Sequence, residues 1–130
     1  MSDFAELLHA RLVGYAPLAA IVGNRVYPVI KPQDAPVPAV TFLCIYEPRY
    51  QTFGEQLDVT KGLWQVSAWG KTYRQTREIR GHCLDALKRY KSPASSPIWH
   101  DTFIINAALE LYEEDTEQHH CVMEIEAVYG

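Results

Sequence analysis

The chain has 130 residues, of which 48% are hydrophobic and 22% charged, and its formal net charge is -4. This length and composition favour a single globular domain over residues 1–130, and they exclude a disordered or fibrous chain. The longest apolar run, Ala16 to Val22, is far shorter than the roughly 18 residues of a membrane span, and the acidic start does not fit a signal peptide. We therefore expect an intracellular protein with no membrane partner and, because of its negative charge, no specific nucleic-acid binding.

Two helices are predicted at the N-terminus. Ser2 or Asp3 can cap a first helix that Gly14 ends. Pro17 suits the first turn of a second, shorter helical stub that ends at Gly23. The apolar stripe of the first helix repeats at helical spacing and consists of Phe4, Leu7, Leu8 and Leu12.

Three strand-forming stretches follow. Residues 25–30 predict a short strand, and a Pro-rich connector leads from it to residues 39–46, which are apolar on both faces. Such a strand is usually central and covered on both sides. The polar stretch 47–61 predicts a mobile loop or a protruding hairpin, and residues 63–69 return to strand alternation.

A long amphipathic helix is predicted from about Thr72 to Tyr90. On a helical wheel its apolar residues lie within an arc of about 160°. Arg80 lies inside that arc, so we predict that its stem packs on the sheet and that its guanidinium reaches an acid or a backbone carbonyl at the sheet edge. The apolar arc consists of Tyr73, Thr76, Ile79, Cys83, Leu84, Ala86, Leu87 and Tyr90.

The C-terminal third predicts a β-hairpin of residues 103–112 and 120–129. Apolar residues occupy the odd positions of both strands, so we expect odd to oppose odd across a turn with an odd number of residues, centred near Thr116. Leu111 would then face Cys121. The outer face would carry three carboxylates, those of Glu110, Glu124 and Glu126.

Together the elements predict an α+β fold, an antiparallel sheet of about four strands with two helices packed on one face. No pattern predicts catalysis, a cofactor or a metal site. His119 and His120 are adjacent in a strand and should point to opposite faces, while His82 and Cys83 diverge on a helix. We expect Cys44, Cys83 and Cys121 to be buried, reduced thiols, since they lack metal-binding or redox spacing.

Charge is segregated along the chain. Residues 71–91 hold seven bases against two acids, whereas residues 92–130 hold eight acids and no Lys or Arg. Arg74, Arg77 and Lys88 form a basic stripe at helical spacing, which is compatible with a solvated face, a protein contact or, less readily, a DNA contact. The acids at 113–117 are typical of a solvated turn.

The order of elements and several local phrases resemble the small tail-completion proteins of long-tailed bacteriophages and prophages, the family of the tail terminator. The resemblance extends from Phe4 to Tyr129. It is carried by the Pro-rich connector Lys31 to Pro38 and by the phrases Gly23-Asn24-Arg25-Val26-Tyr27-Pro28 and Gln65-Val66-Ser67-Ala68-Trp69.

This resemblance implies a non-enzymatic virion protein of the tail or neck, assembled in the host cytoplasm. It implies a hexameric ring that caps the tail tube, ends its polymerisation, and contacts the tail-tube protein and the head-completion (connector) protein. A head-closure or tail-tube protein, or a small host enzyme or nucleic-acid module, are the alternatives.

If such a ring forms, complementary charges should meet between neighbouring subunits. The basic set is Arg74, Arg77 and Lys88, and the acidic set is Glu110, Glu124 and Glu126. Arg49 and Tyr50, in the polar stretch, are further candidates for a partner contact.

Overall fold

The structure is a computed structural model that describes residues 3–32, 36–48, 51–52, 55–56, 59–92 and 97–130, with backbone alone at 51–52 and 55–56. The fold is α+β. Its elements, in chain order, are α1 (Phe4–Gly14), α2 (Ala16–Val22), β1 (Val26–Pro28), β2 (Ala39–Tyr46), β3 (Gln51–Thr52), β4 (Glu55–Gln56), β5 (Thr60–Gly70), α3 (Tyr73–Leu87), β6 (Trp99–Glu113) and β7 (Gln118–Tyr129).

The main sheet has five strands in the order β1-β2-β5-β7-β6. The expectation of about four antiparallel strands and two helices is therefore corrected. Strand β1 pairs parallel with β2, because the connector between them carries the chain back to the starting end of the sheet, and α2 forms a separate third helix. Strands β3 and β4 pair with each other, which matches the hairpin predicted in the polar stretch.

Local signals place the helix ends close to their predicted positions. The Asp3 side chain caps α1 by accepting from the Ala5 amide, and Gly23 ends α2 with a φ of 60°. Thr72 caps α3 by accepting from the Gln75 amide at 3.1 Å. Helix α3 ends three residues before the predicted Tyr90, because Arg89 adopts a φ of 53° and its amide donates to the carbonyl of Thr102 in β6.

The core lies between the three helices and one face of the sheet. Its aromatic centre is Phe4 of α1, which stacks on Tyr129 at 4.0 Å and meets Trp99 edge-on at 4.7 Å. The Trp64 indole donates to the Tyr129 hydroxyl at 3.1 Å, and that hydroxyl donates to a Glu47 carboxylate oxygen. Burial, followed by the hydrogen bond to Glu47, raises the pKa of Tyr129. These contacts attach the N-terminal helix to the C-terminal strand.

Two expected burials are wrong. Strand β2 is buried only from Ala39 to Phe42, because its pairing with β1 ends at Phe42. Cys44 lies beyond that point, and its thiol is exposed. Tyr73 is 54% exposed instead of core, because α3 begins at this residue, beyond the part of the helix that packs on the sheet. The predicted burial of Cys83 and Cys121 is confirmed.

Within the described ranges, no single helix is long and apolar enough to cross a membrane. Helices α1 and α2 reach that length only as a pair bent by 82°.

Two glycines test how tightly this core is packed. A Cβ at Gly62 would overlap the Tyr129 hydroxyl and lie 2.8 Å from the Trp64 indole nitrogen, whereas a Cβ at Gly81 would meet nothing within 4 Å. We expect Gly62→Ala to lower the free energy of unfolding by about 1–3 kcal/mol through overpacking. Gly81→Ala should instead raise it by up to about 1 kcal/mol, since alanine is the better helix former.

Urea denaturation of the two variants beside wild type would measure both changes. A Gly62→Ala protein as stable as wild type would show that the aromatic centre can open by several tenths of an ångström at no cost.

Candidate interaction surface

The β6–β7 hairpin differs in register from the sequence expectation. Glu113 pairs with Gln118 across a turn of four residues, 114–117, so Leu111 faces His120 and not Cys121. The prediction that odd residues oppose odd is therefore wrong. A turn with an even number of residues pairs odd positions of one strand with even positions of the other.

This register turns the apolar residues of β6 away from the core. The odd residues 121–129 of β7 are buried under the helices, as predicted, but their partners in β6 are mostly even residues, Thr102, Ile104 and Glu110. Trp99, beyond the last bulge, is the odd residue that is buried opposite Tyr129. By register, Phe103, Leu109 and Leu111 share the opposite, outer face with Glu124 and Glu126. Ile105 lies in a bulge of β6. We call these four apolar residues of β6 the outer stripe; their exposed fractions are Phe103 37%, Ile105 57%, Leu109 52% and Leu111 47%.

Basic side chains of α3 contact the helix side of β6. Arg77 Nη1 lies 2.9 Å from Glu110 Oε1, and Arg80 Nε donates to the Ala107 carbonyl at 2.7 Å. Glu110 therefore does not share the outer face with Glu124 and Glu126, because the register places it opposite Cys121. The Arg80 contact is of the kind predicted, a backbone carbonyl near the sheet edge.

A second ion pair joins the end of the helix to the start of the same strand. Arg89 binds both carboxylate oxygens of Asp101, at 2.9 and 2.7 Å, and its guanidinium lies 4.9 Å from the centre of the Phe103 ring. The hydrogen bonds from Arg89 lower the pKa of Asp101. Some of the bases of residues 71–91 are thus paired with acids of the same chain.

The remaining predicted interface residues lie on separate surfaces. Arg74 on α3 and Lys88, the residue just after α3, are exposed and, within the described ranges, take part in no ion pair. Glu124 and Glu126 lie partly buried on the outer face, where Glu124 accepts from the Asn106 amide at 3.4 Å. Arg49 and Tyr50 lie outside the described residues.

An aromatic hollow of about 200 Å³ opens on the helix side of the sheet, at the first turn of α3. The rings of Tyr73 and Tyr112 both lie near His119, with their centres 6.2 and 4.9 Å from the centre of the imidazole. The ion pair of Arg77 with Glu110 borders it, and a hydrogen bond to Glu110 raises the pKa of the Tyr73 hydroxyl. The sequence pattern predicted that Tyr73 would be in the core, and His119 was considered only together with His120, as a metal site that was rejected. The pattern therefore did not predict that these aromatic residues would lie together.

The helix and the hairpin also carry two buried thiols and two adjacent histidines. Burial raises the pKa of the Cys83 thiol to about 12, and burial also raises the pKa of Cys121. His119 and His120 point to opposite faces, as predicted: His119 lies in the hollow, and His120 stacks on Trp69 at 3.8 Å. No group of three potential metal ligands occurs in the part of the chain that the structure describes.

The chain is similar to known proteins both in sequence and in fold. The sequence model of the family described as "Tail completion protein gp17" matches residues 6–130. No curated protein matches the chain. Among solved structures, a chain of the "Virion of native gene transfer agent (GTA) particle" superposes with a TM-score of 0.66 at 17% identity, over 95% of this chain and 92% of that one. At this identity the superposition shows a shared fold.

The Arg80 contact generates a stability prediction. We expect Arg80→Ala to lower the free energy of unfolding by about 1–2 kcal/mol, because the Ala107 carbonyl loses its charged donor and the stem leaves the sheet. Arg74→Ala, an exposed change on the same helix, is the matched control and should shift it by no more than about 0.5 kcal/mol. Equal losses in the two variants would contradict the packed role of Arg80.

The His120 stack generates a pH prediction. Burial lowers the pKa of His120, so the folded chain takes up this proton at lower pH than the unfolded chain, whose histidines titrate near about 6.5. The unfolded state then binds more protons, and stability falls as the pH drops below about 6.5. His120→Phe keeps a ring against Trp69 and should flatten that fall, measured by urea denaturation at pH 7.5 and 5.5. An unchanged pH dependence would show that the imidazole does not contribute it.

Proposed function

The chain belongs to the tail completion protein gp17 family, and we propose that it is a structural virion protein whose copies form a hexameric ring on the end of a finished tail tube. The ring ends tube polymerisation and joins the tail to the head. Its partners are then the tail-tube protein on one side and the head-completion, or connector, protein on the other. In this proposal the protein is assembled in the host cytoplasm and resides in the tail or neck of the virion.

The observation that supports a ring subunit best is the outer stripe. A domain of this size rarely leaves four large apolar side chains of a single strand exposed unless a partner covers them. Ring subunits bury such surfaces against one another and against the tube. The shared fold with a chain of a phage-like particle is compatible with this role.

We also propose that the protein is not an enzyme. Nucleophilic chemistry by cysteine needs the thiolate, and burial that raises the pKa of Cys83 and Cys121 keeps both thiols protonated at neutral pH. The conspicuous features of the exposed surface are apolar and charged patches, which suit binding between proteins.

The charge pattern of the sequence predicted that Arg77 and Glu110 would take part in the contact between subunits, and the proposed contact no longer includes them. Arg77 and Glu110 pair within a subunit and hold α3 on β6. Arg74 and Lys88 remain available to meet the carboxylates of a neighbour. Exposed ion pairs contribute only about 0–1 kcal/mol each, so they set the register of the ring more than its strength. Arg49 and Tyr50 stay proposed contacts to the tube or connector.

Polymerisation of the tail tube offers a direct test. Tube protein encoded beside this gene would be polymerised with and without the chain, and tube lengths and ends would be measured by negative-stain electron microscopy. We expect amounts far below those of the tube protein to stop elongation and to leave a ring on the tube end, because only ends are bound. Gly81→Ala, which adds to α3 a single methyl group that meets nothing within 4 Å, is the matched control and should cap as wild type does.

Two outcomes would contradict the capping role. Incorporation along the whole tube would identify a tube subunit, and binding to the connector without any effect on tube length would identify a head-closure protein.

A further inference from the structure

We propose that neighbouring subunits join by seating the outer stripe of one copy in the aromatic hollow of the next. The inference rests on the proposed ring, since it names the surfaces that close it. The stripe is Phe103, Ile105, Leu109 and Leu111, and the hollow is bordered by Tyr73, Tyr112 and His119.

The stripe has the form of an anchor. Leu109 and Leu111 project from the same face of β6, and each is about half exposed although it belongs to a rigid, paired strand. Preformed apolar side chains on a rigid element lose little conformational entropy on binding. Such anchors fill pockets at the centres of interfaces and carry most of the binding energy.

The hollow has the form of a receptor for an apolar side chain. Its accessible wall is mostly apolar, and a volume of about 200 Å³ is large enough for one leucine or isoleucine side chain. Tyr73 and Tyr112 are each about half exposed, so they have contact area left to bury. Tyrosine is enriched where interfaces bind most tightly, because it is large, stiff and tolerates partial hydration.

The placement of the two surfaces favours a second copy of this chain as the occupant. By register Leu109 projects from the outer face, whereas Tyr73, Tyr112 and His119 border the hollow on the helix side of the same sheet, so Leu109 is directed away from the hollow of its own subunit. Leu111 borders that hollow as well, so Leu109 is the anchor that enters the neighbour's hollow. A contact between two different surfaces of identical subunits is heterologous, and repetition of such a contact builds a ring when the rotation closes. A single type of contact, repeated around the ring, then buries both exposed surfaces of every subunit.

The flanking charges agree with this pairing. Glu124 and Glu126 lie on the outer face beside the stripe. On the other side, Arg77 borders the hollow and is paired with Glu110, while Arg74, one turn earlier on α3, is exposed. Docking brings opposite charges together at the rim, which favours the correct register and association rate. The same carboxylates, with the acidic turn at 113–117, repel nucleic-acid phosphates from this face.

Complementation between two variants tests the contact. Leu109→Asp disables the stripe, and Tyr73→Ala with Tyr112→Ala disables the hollow; all three positions are about half exposed, so folding should persist. Each variant alone should associate at least about tenfold more weakly than wild type, measured by sedimentation velocity and native mass spectrometry. Mixed together, they should form a one-to-one dimer that does not grow, because the pair has one intact stripe facing one intact hollow.

A matched control separates this contact from a general effect of added charge. Ile98→Asp places the same aspartate at an exposed apolar position just before β6, beyond the stripe, and should assemble as wild type does. Charge reversal gives a second readout. Glu124→Lys with Glu126→Lys should weaken assembly, and adding Arg74→Glu to the same chain should restore part of it.

The outcomes distinguish the contact from the function. Rings that form on tubes from the Leu109→Asp protein as readily as from wild type would overturn the inference while leaving the capping role intact. Failure of the two variants to dimerise when mixed would also overturn it, since a contact of two like surfaces or a different partner would then cover the stripe. A wild-type chain that forms no ring, either alone at high concentration or on tube ends, would overturn both.

Discussion

The four-residue turn at 114–117 decides which way the side chains of residues 109–113 point, the part of β6 between the turn and the nearest bulge. Because strand side chains alternate with a period of two, an even turn places the apolar, odd residues of β6 opposite even residues of β7. Strand β7 must keep its own odd residues under the helices, so β6 has to present Leu109 and Leu111 outward and Glu110 inward. The exposed apolar face, the ion pair with Arg77 and the aromatic hollow all result from this register.

Contacts with β6 account for part of the charge segregation along the chain. Arg77, Arg80 and Arg89 reach Glu110, the Ala107 carbonyl and Asp101 in turn, and so hold α3 along an edge strand that three bulges interrupt. Bulges and neighbouring charges also make an edge strand a poor template for uncontrolled strand pairing. The outer stripe can then bind through side chains instead of through its backbone edge.

The aromatic core that stabilises the fold and the surface proposed to bind a neighbouring subunit lie in different parts of the molecule. Phe4, Trp64, Trp99 and Tyr129 join the first helix to the last strand around one core, so the fold is held together far from the hairpin end that carries Leu109 and the hollow. A subunit built in this way can fold before it assembles and leave its contact surfaces open until neighbours arrive. This arrangement is compatible with the proposed role at the end of a tail tube.

Features that depend on local periodicity and on capping residues could be predicted from the amino-acid sequence. Asp3 and Thr72 mark helix starts, the stripe of α1 and the buried half of α3 follow a period of 3.6 residues, and the odd residues of β7 follow a period of two. The family resemblance also came from local phrases, and the match over residues 6–130 agrees with it. Only the tertiary structure decided the parallel pairing of β1, the exposure of Cys44 and Tyr73, and the outward face of β6. The first two depend on which elements pack together and how far they extend, and the outward face of β6 depends on the length of a turn, none of which the alternation of apolar residues within an element determines.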